Sequence, residues 1–252
     1  MTDTTLPRRV LGLIDLTNLE NDCTEADIRA LCAKAETPHG NVAALCIWPE
    51  FVELAADLLS GTGIGIATVV NFPSGNDPLH DVVALTERAV AGGATEIDTV
   101  IPYSAFKDGH GDAVREHVRS VSRACGNARL KTILETGELV DETLVREASR
   151  IAIAEGADFI KTSTGKVSVN ATPEAARWLL EEIKDSGRLD VGFKPAGGIR
   201  TVEDAAVYLG SADAIMGPGW AAKSTFRFGA SSLLGNVLEA LGEVPAEEAG
   251  RY

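Results

Sequence analysis

Short apolar runs alternate with amphipathic stretches along the chain. The runs at residues 11–16, 43–48, 64–70, 96–101, 130–135, 159–162, 191–194 and 214–216 predict strands. Between them, polar and apolar positions recur at helical spacing over 25–36, 50–59, 81–91, 113–125, 142–155, 173–184 and 202–209. Strands apolar on both faces that alternate with helices predict a parallel sheet. Eight such units predict an α/β fold closed into a single-domain (β/α)8, or TIM, barrel over 1–241, and 252 residues suit one. Local signals agree. Thr172 caps a helix that Pro173 opens, and Thr201 caps the next with Asp204 three residues on. Gly92-Gly93-Ala94 and Gly156-Ala157 close helices just before strands. Residues 242–252, rich in Glu, Ala and Gly, predict a flexible tail.

Charge narrows the partners. The formal net charge of −14 repels nucleic acid and anionic membranes, so neither is expected. An anionic substrate would need a locally positive pocket, which Lys166, Lys194 and Arg200 could supply. Cys23, Cys32, Cys46 and Cys125 form no CxxC pair and lack histidines at ligand spacing, which predicts reduced thiols, a cytoplasmic location and no metal site. Residues 1–9 show no apolar leader, and no run approaches the roughly 20 residues of a membrane span.

In such barrels the chemistry gathers at the C-terminal strand ends. There the sequence puts Asp15 and Thr17, Cys46, Asn71, Asp98, Glu135 and Thr136, Lys161 to Lys166, Lys194, and Met216-Gly217. Lysines resist burial in apolar strands. An amine forced against a second ammonium loses proton affinity and becomes a nucleophile for carbonyl groups. Lys161-Thr162-Ser163-Thr164-Gly165-Lys166 and Phe193-Lys194-Pro195 supply such a pairing, and the residues alone leave open whether Lys161 or Lys166 is the nucleophile. Asp98, inside an apolar run, needs a cationic partner and is a candidate acid/base group; Asp15 is similar. Gly197-Gly198-Ile199-Arg200 and Gly229-Ala230-Ser231-Ser232, placed after strands seven and eight, read as a phosphate site that uses glycine N–H groups and a helix N-terminus. The histidines His39, His80, His110 and His117 read as turn or helix-surface residues without a catalytic role.

The motifs resemble deoxyribose-phosphate aldolase, a class I aldolase family. Asp15-Leu16-Thr17, Asn71-Phe72-Pro73-x-Gly75-Asn76, Glu135-Thr136-Gly137-Glu138-Leu139, the two lysine motifs and Phe228-Gly229-Ala230-Ser231-Ser232 carry the resemblance, which spans nearly the whole chain. It implies reversible cleavage of 2-deoxy-D-ribose 5-phosphate to D-glyceraldehyde 3-phosphate and acetaldehyde, without metal or organic cofactor. It implies Lys166 as the Schiff-base lysine, Lys194 as the neighbour that tunes it and Asp98 as proton relay. Gly197, Gly198, Ser231 and Ser232 fall in the family's phosphate segments, and Thr164, Gly165, Arg200 and Gly229 lie beside them. A C-terminal Tyr252 that reaches the site to move a proton is implied, as is a homodimer. Glu20 departs from the family, where an asparagine is usual, and a carboxylate there could alter hydroxyl contacts or aldehyde preference. Cys46, if it faces the pocket, is a target for unsaturated aldehydes. The competing readings are another Schiff-base sugar-phosphate aldolase or transaldolase, a pyridoxal-phosphate barrel, and a non-catalytic sugar-phosphate-binding barrel.

Overall fold

Residues 4–243 are described by the computed structural model. Eight parallel strands make one sheet: β1 (Ile14–Asn18), β2 (Ala44–Ile47), β3 (Gly65–Val70), β4 (Glu96–Val100), β5 (Arg129–Ile133), β6 (Phe159–Lys161), β7 (Gly192–Lys194) and β8 (Phe228–Ala230). Each pairs with the next in sequence, and β8 lies beside β1. Bridges from Phe193 to Phe226 and from Ala196 to Gly229 join β7 to β8, which closes the (β/α)8 barrel.

Helices surround it: α1 (Thr5–Leu11), α2 (Glu25–Ala35), α3 (Val52–Leu58), α4 (Leu79–Ala91), α5 (Tyr103–Lys107), α6 (Gly111–Cys125), α7 (Thr136–Leu139), α8 (Glu142–Ala154), α9 (Pro173–Asp185), α10 (Val202–Met216) and α11 (Leu233–Ala240). The caps form as the sequence predicts. Thr172 accepts from the Ala175 N–H ahead of α9, and Thr201 and Asp204 make a reciprocal capping box on α10. Helix faces and outward strand faces share one apolar layer, with Ile14, Ile97, Leu130, Ile160 and Phe193 from the strands and Val118, Ala148, Leu179 and Leu209 from the helices.

One strand differs from expectation. Residues 214–216 are the last turn of α10, and the eighth strand lies further on, at Phe228–Ala230. Helix α10 buries Val202, Ala205, Tyr208, Leu209 and Ala212, so its apolar positions run past Gly210 and its end resembles a short strand. The true strand segment carries a buried arginine, Arg227, which hides it from hydropathy.

His117 also differs. It is buried on α6, not on a helix surface, with Nε2 2.8 Å from Thr99 Oγ1. Burial pushes its pKa down to about 4. Below pH ~6.5 the unfolded chain takes up a proton that the folded chain refuses until about 4. Stability is therefore expected to fall between those pH values, by on the order of 3 kcal/mol. Urea unfolding at pH 7 and pH 4.5 checks this: His117→Gln should show the flatter dependence, and equal slopes would exclude the histidine as the cause.

Candidate active site

The barrel interior is charged. Lys131, Lys161, Lys194 and Arg227 meet Asp15, Glu96 and Asp98, all of them buried. Register explains the meeting, because Asp98 lies opposite Lys131 across β4 and β5, and Lys161 lies opposite Lys194 across β6 and β7. Side chains two apart on a strand share a face, so Glu96 and Asp98 both point inward.

Asp98 is the hub. Its Oδ2 accepts from Lys161 Nζ and Lys194 Nζ, each at 2.8 Å, and its Oδ1 accepts from Lys131 Nζ at 2.9 Å. Burial alone would raise the Asp98 pKa, but the surrounding ammonium groups hold it well below the usual carboxylate range. Asp15 accepts from Lys194 Nζ at 2.5 Å and from Arg227 Nη1 at 2.6 Å, and these cations keep it ionised in the same way. Arg227 also grips Glu96 through two nitrogens, at 3.0 and 2.7 Å. Burial would lower the Lys194 pKa, but Asp15 and Asp98 raise it.

The amines are unequally compensated. Lys131 meets Glu96 at 2.5 Å, Asp98 at 2.9 Å and Asp15 at 3.4 Å. Lys194 has two carboxylates. Lys161 pairs with Asp98 alone among the described carboxylates. Of the three, only Lys161 lines the open cavity at the strand ends. It therefore has the fewest carboxylate partners of the three, and it is the amine a substrate can reach.

That cavity measures about 190 Å³. Thr17, Thr164, Gly165, Lys166, Gly197, Gly198, Arg200, Gly229, Ser231 and Ser232 line it, so the two predicted loops and the β6 loop do converge. Gly197 and Gly198 both have φ near +84°, and a Cβ on Gly197 would stand 2.6 Å from Asn170 Cβ. At Gly229 a Cβ would stand 2.8 Å from Ala196 Cβ and 3.2 Å from Lys194 Cε, so a larger residue would push against the lysine stem. Ser232 precedes α11, makes no side-chain cap bond and lines the cavity.

Other expected residues lie elsewhere. Lys166 does not join Lys194 and Asp98. It sits on the loop after β6, its side chain 32% exposed, and its nearest carboxylate is Glu20 at 3.9 Å. The strand ends at Lys161, and five further residues carry Lys166 out to the cavity rim. Asp15 lies beneath the cavity, in the ion network, and does not line it. Cys46 is fully buried among Leu19, Ala67 and Val69, and burial raises its thiol pKa, so thiolate is scarce there. Tyr252 lies outside the described residues.

Two participants, Lys131 and Arg227, escape the sequence reading, and a third, Glu135, does more than its expected place at a strand end implies. Lys131 could have been found by the rule applied to the other lysines, since Leu130-Lys131-Thr132-Ile133 is an equally apolar strand. Arg227, just before the eighth strand, is a barrel-interior cation. Glu135 adopts a left-handed conformation with φ 55°, and its carboxylate accepts from the Thr164 N–H at 3.2 and 3.3 Å. Burial raises its pKa. This clamp, with Thr136 N–H donating to the Thr162 carbonyl at 2.9 Å, holds the loop that carries Gly165 and Lys166.

A larger groove of about 580 Å³ opens on the flank near α3 and α4, where Trp48, Glu53, Phe72, Leu85 and Arg88 line it. It contains none of the clustered charges, so its size does not make it the reaction site. Among the described residues no metal-binding group of acids, histidines or cysteines occurs, and no helix is long and apolar enough to cross a membrane.

A (β/α)8 barrel that presents a buried amine beside a second ammonium and a shared carboxylate is of the aldolase class. Comparison supplies the family: residues 9–235 match the model for the DeoC/LacD family aldolases, and the chain belongs to that family. It is 58% identical over 245 residues to a deoxyribose-phosphate aldolase of Agrobacterium fabrum, a match covering 96% of this chain and 94% of the relative. Among solved structures, the aldolase QR15 superposes with a TM-score of 0.79 at 31% identity, covering 92% of this chain and 96% of that one. A tetrameric deoxyribose phosphate aldolase from Aeropyrum pernix gives 0.79 at 27% identity, covering 93% and 92%.

Proposed function

We propose that the chain cleaves 2-deoxy-D-ribose 5-phosphate reversibly to D-glyceraldehyde 3-phosphate and acetaldehyde, through a Schiff base on Lys161. The observation that carries this reading is the sharing of Asp98 Oδ2 by Lys161 and Lys194, with only Lys161 open to the cavity. The family and the Agrobacterium fabrum relative support the substrate.

In this reading Lys194 keeps its proton, because Asp15 and Asp98 hold it, and its charge stands beside the Lys161 amine across the shared Asp98 Oδ2. The Lys161 amine adds to C1 of the open-chain aldehyde and water leaves, which forms the protonated imine. The C3 hydroxyl gives up its proton, the C2–C3 bond breaks, and its electron pair flows into the imine. D-Glyceraldehyde 3-phosphate departs and an enamine remains. A proton returns to C2, and water then releases acetaldehyde and the free amine. Asp98, held ionised, orients both amines and the water that carries the proton. The phosphate takes the rim of the cavity, against the N–H groups of Gly197 and Gly198, Ser231, Ser232, and the cations Lys166 and Arg200.

Borohydride trapping with 2-deoxyribose 5-phosphate, followed by peptide mass spectrometry, tests the proposal. A reduced adduct is expected on Lys161, and it should persist in Lys166→Met. An adduct on Lys166 would restore the assignment implied by the family motif. No adduct on folded protein would count against Schiff-base chemistry altogether.

A further inference from the structure

Glu20 is the one acidic side chain among the described residues that line the cavity, where Lys161, Lys166 and Arg200 supply the opposite charge. Its main chain is held from two sides. The Glu20 N–H donates to Asn18 Oδ1 at 3.2 Å, and the Glu20 carbonyl accepts from Trp48 Nε1 at 3.0 Å. The side chain is thus presented at the mouth by a pinned backbone. It is 75% exposed, and among the described residues its one ionic partner is Lys166, with Oε1 3.9 Å from Nζ. An ion pair this open contributes little to folding, so the fold does not explain an acid at this place.

We propose that Glu20 is a specificity-determining residue. Its carboxylate occupies the Lys166 ammonium until an anion arrives, and it repels that anion once bound. The residue thereby sets how strongly the site favours phosphorylated over neutral deoxy sugars. The proposal rests on the reading of this cavity as the phosphate end of the substrate site. A phosphate must displace Glu20 from Lys166 and then share a small cavity with a like charge. Both penalties grow with the charge of the ligand and vanish for a neutral sugar. Both also weaken as salt screens them, since the pair lies in solvent.

The test compares Glu20→Gln with wild type. Binding of inorganic phosphate is measured by titration calorimetry, and cleavage of 2-deoxyribose 5-phosphate and of unphosphorylated 2-deoxyribose is measured at low and high salt. The variant should bind phosphate roughly three-fold more tightly at low salt, the scale of one exposed ion pair. Its KM for the phosphorylated sugar should fall by a similar factor, and the difference should shrink at about 0.5 M salt. Its kcat/KM for the neutral sugar should match wild type. Unchanged phosphate affinity, or an equal shift for both sugars, overturns the proposal. If wild type cleaves neither sugar, the aldolase reading fails, while the phosphate titration still decides the role of Glu20.

Discussion

Lys161→Ala is expected to lower kcat for 2-deoxyribose 5-phosphate by a factor on the order of 10⁴ or more, because no other amine both lines the cavity and touches Asp98. Lys166→Met should behave differently. Its kcat should stay within about ten-fold of wild type and its KM should rise roughly ten-fold, the scale of one lost charge-assisted hydrogen bond to phosphate. Steady-state kinetics on the two variants separates a group that acts on the reacting carbon from one that holds the far end of the substrate. Loss of turnover in Lys166→Met with an active Lys161→Ala would reverse the roles. Stability should change little in Lys166→Met, whose side chain is partly exposed and pairs only distantly with Glu20. Lys161→Ala should fold as well, since removing the least-paired cation leaves Asp98 with Lys131 and Lys194.

This contrast marks where the sequence was legible and where it was not. Periodicity placed seven strands and the helices α2, α3, α4, α6, α8, α9 and α10, because alternating and 3.6-residue patterns are properties of the chain itself; the short α1, α5, α7 and α11 left no such pattern. The caps at Thr172 and Thr201 were equally local. The choice between Lys161 and Lys166 was not local. It depends on where β6 ends, a three-residue strand whose last member is Lys161. Past that end the chain leaves the barrel, and Lys166, five residues on, lines the same cavity beside Glu20 and not beside Asp98. The motif contained both lysines, so resemblance could name the segment but not the depth of each side chain. The eighth strand failed for a related reason. Its neighbour Arg227 looks like a surface residue until the carboxylates of Asp15 and Glu96, distant in sequence, are seen around it. Buried ion networks are assembled by tertiary structure, and hydropathy reads them as loops.

Arg227→Met is expected to destabilise the protein by about 3–5 kcal/mol, since it leaves the Asp15 and Glu96 carboxylates buried without their guanidinium. For a domain of this size that corresponds to a fall in Tm of roughly 10 °C. The cause can be separated from lost packing against the Phe159 ring, 5.6 Å below the guanidinium. Arg227→Lys restores a cation without the guanidinium plane, so it should be more stable than Arg227→Met. A lost-packing effect would give no such recovery. The pH dependence carries the same signature. In wild type the cations hold Asp15, Glu96 and Asp98 below their ordinary pKa values, so the stability they contribute is present above pH ~4 and lost as pH falls below it. Without Arg227 the first two carboxyls are less depressed and have less to lose. Urea midpoints at pH 7 and pH ~2.5 should therefore differ more for wild type than for Arg227→Met. Parallel curves would mean that the arginine serves the fold through its shape and not through its charge.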